Sequence, residues 1–306
     1  MAAPVLLSIA LPTYNRAGFL EQSLVEHRFC SAKYNVPIII SDNASDDDTL
    51  EVVEKSRRLN PLISYHRNEQ TIPPDENFEK ALGFADTDYV WLLGDTYFIP
   101  KETFMAVMDA ISEDEYDVVV VNMVDRVTDI PEQVYSDRNK LLADLGWHMT
   151  CLSTLIYSRK LLQHANFVRY RDTNFLQEGI IFEYLSDKPC KVKWIPQHSV
   201  MGLHVQGVKK TSWEQQTFEI WTKRWANFVF SLPATYSLDS KLKCIMDHGV
   251  KSGLFSFSSI KRLRKKKILN LHSYYLYSKY FPLTIRTRVF LIRIVAVLPA
   301  WLFRLF

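Results

Sequence analysis

The hydrophobic positions of the first 125 residues fall in short runs that alternate with amphipathic stretches. "VLLSIAL", "VPIIIS", "LISYHR", "YVWLLG" and "DVVVVN" are β-rich and bounded by turn residues. Residues 17–32, 47–59, 75–85 and 101–112 lie between them with helical character. Strands that alternate with helices predict βαβ units and a mostly parallel sheet. Residues 126–235 are more mixed. They hold a strand-like "CLSTLIY", helical patterns near 159–166 and 174–186, then "KVKWIP", then a helix through 212–231. From residue 238 the pattern is helical to the end, and no internal repeat interrupts the chain.

Composition adds little until charge is considered. With 47% hydrophobic and 23% charged residues, the chain can bury an ordinary core. Cys30, Cys151, Cys190 and Cys244 form no C-x-x-C pair. That argues against a zinc knuckle or a disulfide framework and for reduced thiols in the cytosol. The apolar N-terminus lacks a basic leader and a cleavage pattern, and reads as a first strand. Charge, by contrast, splits the chain. The last 59 residues hold 12 Lys/Arg and no Asp or Glu, which leaves the first 247 with a net charge of −9. An acidic body and a basic tail imply different partners.

Open parallel sheets bind ligands at the carboxyl ends of their strands. Four loops occupy such ends: "PTYNR", "SDNASDDDT", "RNEQ" and "GDT". In the second, Ser45 reads as a helix N-cap with Asp46, Asp47 and Asp48 in the first turn. Asp42 and Asn43 sit at the strand end itself, where a carboxylate can accept from a pyrimidine N–H and an amide can orient the loop. The glycine and later glutamate of a calcium-binding EF-hand are missing. In the first loop, Thr13, Tyr14 and Arg16 combine a hydroxyl, a ring and a guanidinium, which suits a base and a pyrophosphate. An ordinary capped turn is the alternative there.

"SIALPTYNRAGFLEQSL", "IIISDNASDDDTLEVV", "ISYHRNEQ…ENFEKAL" and "YVWLLGD", in this order and spacing, resemble family-2 glycosyltransferases of the GT-A fold. "SDNAS" and "WLLGD" resemble the abequosyltransferase-like branch of bacterial O-antigen and capsule synthesis. The resemblance is strong over residues 5–125, weaker to about 205, and general beyond. It implies an α/β, Rossmann-like sheet with flanking helices and a helical C-terminal tail. Thr13, Tyr14 and Arg16 would line the nucleotide pocket. Asp42 would bond the base, with Arg67 and Asn68 nearby and Asn77 in support. Asp95 would face the donor diphosphate.

Two departures from the family pattern stand out. The third loop is "RNEQTIPPDEN", where a glycine is usual and two prolines stiffen the path. In "GDTYF", Asp95 keeps one carboxylate while Thr96 and Tyr97 replace the others. A cation beside a diphosphate retains waters and needs only one or two protein carboxylates, so Mn²⁺ or Mg²⁺ on Asp95 is the expected cofactor, weakly held. Alternatively, Arg16 or Arg67 neutralises the diphosphate without metal. "DTD" at 86–88 precedes its strand and reads as a turn.

An inverting transfer needs a general base. By the family's pattern it lies in "DTNFLQEGIIFEYL", where Glu178 is the candidate, Asp172 the reserve, and Glu183 falls on another helix face. Leu176, Ile180, Ile181 and Tyr184 supply the apolar face. The bland alternative is a solvated helix. His198 and His204 are possible metal ligands or structural histidines. Trp147 in "LGWHMT" suits either sugar stacking or core packing.

The tail carries "KRLRKKK", "YYLYSKYF" and "RVFLIRIVAVLPAWLFRLF". Arg293 and Pro299 interrupt the last stretch, against a transmembrane helix. Arg286 and Arg293 share a helical face, and basic clusters with interfacial aromatics suit an anionic lipid surface. A dimer helix is the alternative; nucleic acid is not expected.

The expected organisation is a nucleotide-sugar-binding half (1–125), an acceptor-binding half (126–235) and a basic, amphipathic region (236–306). The expected function is hexosyl-type transfer from a nucleotide sugar to a glycan or lipid-linked oligosaccharide, with inversion. A pyrimidine nucleotide is favoured. The location is the cytoplasmic face of the cell membrane. A nucleotidyltransferase or a non-catalytic nucleotide- or glycan-binding scaffold are the other readings.

Overall fold

The computed structural model describes residues 6–205, 213–285 and 287–304. Among these residues nine strands form one sheet: β1 (Leu7–Thr13), β2 (Ile38–Asp42), β3 (Ile63–Arg67), β4 (Tyr89–Leu92), β5 (Tyr97–Phe98), β6 (Val118–Met123), β7 (Gln133–Tyr135), β8 (Leu155–Ser158) and β9 (Val192–Gly202). The order is β3-β2-β1-β4-β8-β6-β9-β5, with β7 on β9. The first four strands are parallel. β8 runs antiparallel to both β4 and β6, so the second half is mixed.

Burial explains why the first strands read as continuous apolar runs. Every residue of β1, β2 and β4 is buried, whereas β3, at the edge, is open along most of its length. Central parallel strands covered on both faces lack a polar alternation. Leu7, Ile9, Leu11, Ile38, Ile40, Trp91 and Phe104 share one core cluster.

The structure corrects several boundaries. The helix expected over 17–32 is two, Ala17–Glu26 and Arg28–Tyr34, broken at His27. His27 turns inward, where its Nε2 accepts from the Ile99 N–H at 2.9 Å. Burial lowers its pKa to about 4, so it stays neutral. "CLSTLIY" begins with a 3₁₀ turn, Leu152–Thr154, before β8. The helix after β2 starts at Thr49, not within the acidic run.

Two compact units emerge. The first comprises Met1–Arg138, Met149–Asp172 and Leu176–Lys210 and contains the sheet; the second comprises Asn139–His148, Thr173–Phe175 and Thr211–Phe306. In the second, a π-helical stretch, Glu219–Arg224, runs into the helix Trp225–Ser231. Leu238–Lys251, Phe257–Lys265, Leu271–Tyr277, Phe281–Thr284 and Val289–Val297 follow as short helices. Ser237, Ser256 and Asn270 cap three of them by accepting backbone N–H bonds. Phe218, Phe255, Ile260, Leu269, Phe281 and Ile292 form its core. A Cβ on Gly249 would lie 2.1 Å from the Thr284 carbonyl oxygen, so this close helix approach requires glycine. Trp147 also belongs here. It is fully buried and donates to the Asp144 carbonyl at 3.1 Å, so core packing, not sugar stacking, is its role.

Candidate active site

Sheet register brings the strand-end residues side by side. Thr13 pairs with Asp42, and Asp42 pairs with Arg67. Asp42 is buried and strongly partnered. It accepts from the Ser45 N–H at 3.0 Å, the Ser45 hydroxyl at 2.5 Å and the Tyr65 hydroxyl at 2.6 Å. Arg67 Nε lies 3.5 Å from Asp42 Oδ2, and Arg67 Nη2 donates to the Ser45 carbonyl at 2.8 Å. Burial, with the Asp42 hydrogen bond second, pushes the Tyr65 hydroxyl pKa upward.

An amide network supports this end. Asn43 Oδ1 accepts from Asn68 and from the Ile72 N–H, and its amide donates to the Ile72 carbonyl. Asn77 Oδ1 accepts from Ser41 and Asn68, and its amide returns to the Ser41 carbonyl. Asn43 and Asn77 therefore brace the "RNEQTIPPDEN" loop and the strand ends from inside. The acidic run does not follow simple capping by Ser45. Asp47 caps two helices, accepting from the Ala17 N–H at 2.9 Å and from Thr49.

Just after β4 comes Gly94, whose N–H donates to Ser153 Oγ at 3.0 Å. Asp95 then turns inward. Its Oδ2 accepts from Thr13 Oγ1 at 2.9 Å and its Oδ1 from Arg16 Nη1 at 3.0 Å. Burial raises the Asp95 pKa, opposed by the Arg16 charge and the Thr13 bond. Thr96 is buried, and its carbonyl accepts from the Leu203 N–H at 2.8 Å. Tyr14 is exposed beside them. Thr13, Arg16 and Asp95 thus form one cluster, and Asp42, Asn43, Arg67 and Asn77 a second, adjoining through the Thr13–Asp42 pair.

Among the described residues, no three His, Cys, Asp or Glu side chains are grouped to hold a metal. His198 lies half-buried on β9 and His204 is exposed. A cation at Asp95 would sit beside the Arg16 guanidinium and take its other ligands from the donor.

Glu178 sits on the helix Leu176–Tyr184, which is buried on nearly every side, not on one face. Its carboxylate is fully buried and neither oxygen has a hydrogen-bond partner. Burial lifts its pKa well above the usual carboxylate range, against the pull of the Arg126 charge. A Cβ on Gly179 would come within 2.4 Å of the Tyr170 ring, which explains the glycine. Glu183 is committed elsewhere, to Arg169 at 2.8 Å and the Tyr170 hydroxyl at 2.7 Å. Asp172 is exposed with positive φ.

Three contributors lack a sequence signal: Tyr65 on Asp42, Ser153 under Gly94, and Arg126 near Glu178. Arg126 donates to Thr150 Oγ1 at 2.9 Å, and the Gln177 amide reaches the Thr150 carbonyl at 3.1 Å. Nothing in the local sequence marks these residues, because each reaches its partner across the fold.

The buried acidic and basic cluster lies at the carboxyl ends of parallel strands, where open α/β sheets bind ligands. The family model for glycosyl transferase family 2 matches residues 8–173, and the chain belongs to that family. It is 32% identical over 143 residues to the abequosyltransferase RfbV of Salmonella typhimurium, covering 46% of this chain and 42% of RfbV. It is 29% identical over 120 residues to the poly(ribitol-phosphate) beta-N-acetylglucosaminyltransferase TarS of Staphylococcus aureus, covering 38% of this chain and 20% of TarS. The matches thus span less than half the length of these relatives. In structure, S. aureus TarS 1-349 with UDP-GlcNAc superposes at a TM-score of 0.58 with 16% identity, over 95% of this chain and 88% of that one. The mannosyltransferase PcManGT from Pyrobaculum calidifontis, in complex with GDP-Man and Mn²⁺, gives 0.54 with 13% identity, over 97% and 87%. Both show the fold.

Proposed function

We propose that this chain transfers a sugar from a nucleotide-diphosphate donor to a glycan in surface polysaccharide synthesis, inverting the anomeric centre. The observation that carries the proposal is the alignment of Thr13, Asp42 and Arg67 across three strand ends, with Asp95 and Arg16 at the Thr13 end. That edge offers a hydrogen-bonding strand end for a base and a cation for a diphosphate. Family membership supports the donor class.

In the proposed reaction, an acceptor hydroxyl oxygen bonds to the anomeric carbon as the carbon–oxygen bond to the diphosphate breaks. The electron pair leaves with the diphosphate, and the hydroxyl proton passes to a carboxylate. Glu178 is the assigned carboxylate. Because burial disfavours its charged form, it must lose its proton before it serves as a base. The rate is expected to climb as pH rises above the ordinary carboxylate range, and Glu178→Gln to abolish that limb.

The lipid-linked acceptor and the membrane face enter through the second unit. Phe290, Ile294 and Val297 are exposed on the helix Val289–Val297, and Trp301 is exposed on the short turn Ala300–Arg304 after it. Leu271, Tyr275 and Leu276 are exposed on the helix Leu271–Tyr277, and Arg293 reaches the Tyr275 hydroxyl at 3.5 Å. The basic helix Phe257–Lys265 anchors this segment, as Arg264 donates to the Leu298 carbonyl at 2.9 and 2.8 Å. Apolar side chains in solvent beside a stretch rich in Lys and Arg support docking on anionic lipid at the cytoplasmic face. Arg286 lies outside the described residues. No helix among those described is long and apolar enough to cross a membrane.

The test is release of nucleoside diphosphate from a panel of nucleotide sugars in the presence of lipid-linked glycan. Turnover by the wild type, reduced in Asp95→Asn, is the expected result. Binding without turnover on any donor would favour a scaffold.

A further inference from the structure

We infer that Arg16, not a divalent cation, carries the charge of the donor diphosphate in this chain. The inference rests on the nucleotide-sugar reading above and names the group that recognises the diphosphate.

Three observations lead there. First, Asp95 supplies the single carboxylate of this turn, and each of its oxygens already accepts a bond, one from Thr13 and one from Arg16. A cation at Oδ1 would meet the guanidinium at close range, where like charges repel strongly in a buried setting. Second, Thr96 and Tyr97 offer no second carboxylate to share a cation. Third, Arg16 is held yet unsatisfied. Its carbonyl accepts from the Leu20 N–H at 3.0 Å, and the next residue, Ala17, is capped by Asp47 at 2.9 Å, so its backbone is fixed. Its guanidinium has five donor hydrogens, and the bond to Asp95 uses one. The side chain keeps 24% of its surface in solvent, while that of Asp95 keeps 6%. The buried carboxylate holds a partly exposed fork that keeps its remaining donors.

Arg67 is the contrasting case. It spends its guanidinium on Asp42 and the Ser45 carbonyl, and so holds a loop. An arginine fork matches two phosphate oxygens at once. As the bond to the sugar breaks, the departing diphosphate gains one negative charge, and Arg16 stands to stabilise it. Asp95 acts through Arg16 as a positioning residue.

Calorimetric titration of UDP, CDP, dTDP and GDP into the full chain tests this, in excess chelator and again with millimolar Mn²⁺ or Mg²⁺. The best nucleotide is expected to bind with the same affinity, within about twofold, in all three conditions. Arg16→Ala is expected to weaken it at least about tenfold, without rescue by Mn²⁺, and Arg16→Lys to recover part of the loss. Melting temperature checks that the variants fold, and the wild-type comparison does not depend on them. Binding that needs the cation, or that survives Arg16→Ala, overturns the inference while leaving the donor reading intact. No nucleoside diphosphate binding in any condition sinks both.

Discussion

The two compact units handle polarity in opposite ways. In the first, polar groups point inward: Asp42, Asn43, Asn68, Asn77 and Asp95 are all buried, and hydrogen bonds to one another or to the backbone hold them. In the second, apolar groups point outward, at Phe290, Ile294, Val297 and Trp301, in a basic stretch whose sequence has no Asp or Glu beyond position 247. Buried polar networks are worth their desolvation only when satisfied, and then they fix geometry. Exposed apolar surface is stable in water only at a cost, and marks a place made for contact. Under the proposed function, the contrast assigns specificity to the first unit and location to the second.

The largest effect is expected from breaking the inward network. Asp42→Ala removes the acceptor of Ser45 and Tyr65 and leaves Arg67 without its carboxylate. We expect about 3 kcal/mol of lost stability together with lost nucleotide binding, read by urea denaturation and calorimetry. A variant as stable as the wild type would show the network to be incidental.

Glu178→Gln separates chemistry from structure. The expected loss in kcat is about 10²-fold, with donor affinity intact. Stability should move the other way. With a folded-state pKa raised above the ordinary 4.5, the stability contributed by protonated Glu178 is complete below that value and is lost as pH rises through the folded pKa. The glutamine variant removes this dependence, so its advantage over the wild type should grow with pH. Identical pH profiles of stability would place the carboxylate in a solvated environment. If Glu183→Gln or Asp172→Asn is the inactive variant instead, the segment is right and the residue wrong.

The smallest effect concerns the outward surface. Replacing Phe290, Ile294 and Trp301 with serine should weaken binding to anionic vesicles about tenfold and leave nucleotide binding unchanged. Vesicle sedimentation at rising salt reads both contributions. Vesicle binding unaffected by both the substitutions and salt, combined with a change in oligomeric state, would favour a second copy as the partner.

Much of the first unit was legible because its signals are local. Continuous apolar runs with helices between them marked β1 to β4, and the strand-end rule selected the loops of Thr13, Asp42, Arg67 and Asp95. What was not legible depends on distant partners. Nothing in "SDNAS" shows that Ser45 serves Asp42 and Asn15 instead of capping a helix. Nothing in "LGWHMT" shows that Trp147 is core. The antiparallel entry of β8 between β4 and β6 and the pairing of Arg16 with Asp95 arise only when segments far apart in sequence meet. The tail was legible in composition, but which of its apolar residues face outward depends on how its short helices pack.

The most direct test of the donor site is a thermal-shift screen of nucleoside diphosphates and nucleotide sugars against the wild type and Asp42→Asn. A ligand at about 100 times its dissociation constant adds about 2.7 kcal/mol to the folded state, enough to raise the melting temperature by several degrees. The expected result is such a rise for one nucleotide class with the wild type, strongly reduced in Asp42→Asn. An equal rise in both proteins, or none with any nucleotide, would contradict a donor site at these strand ends.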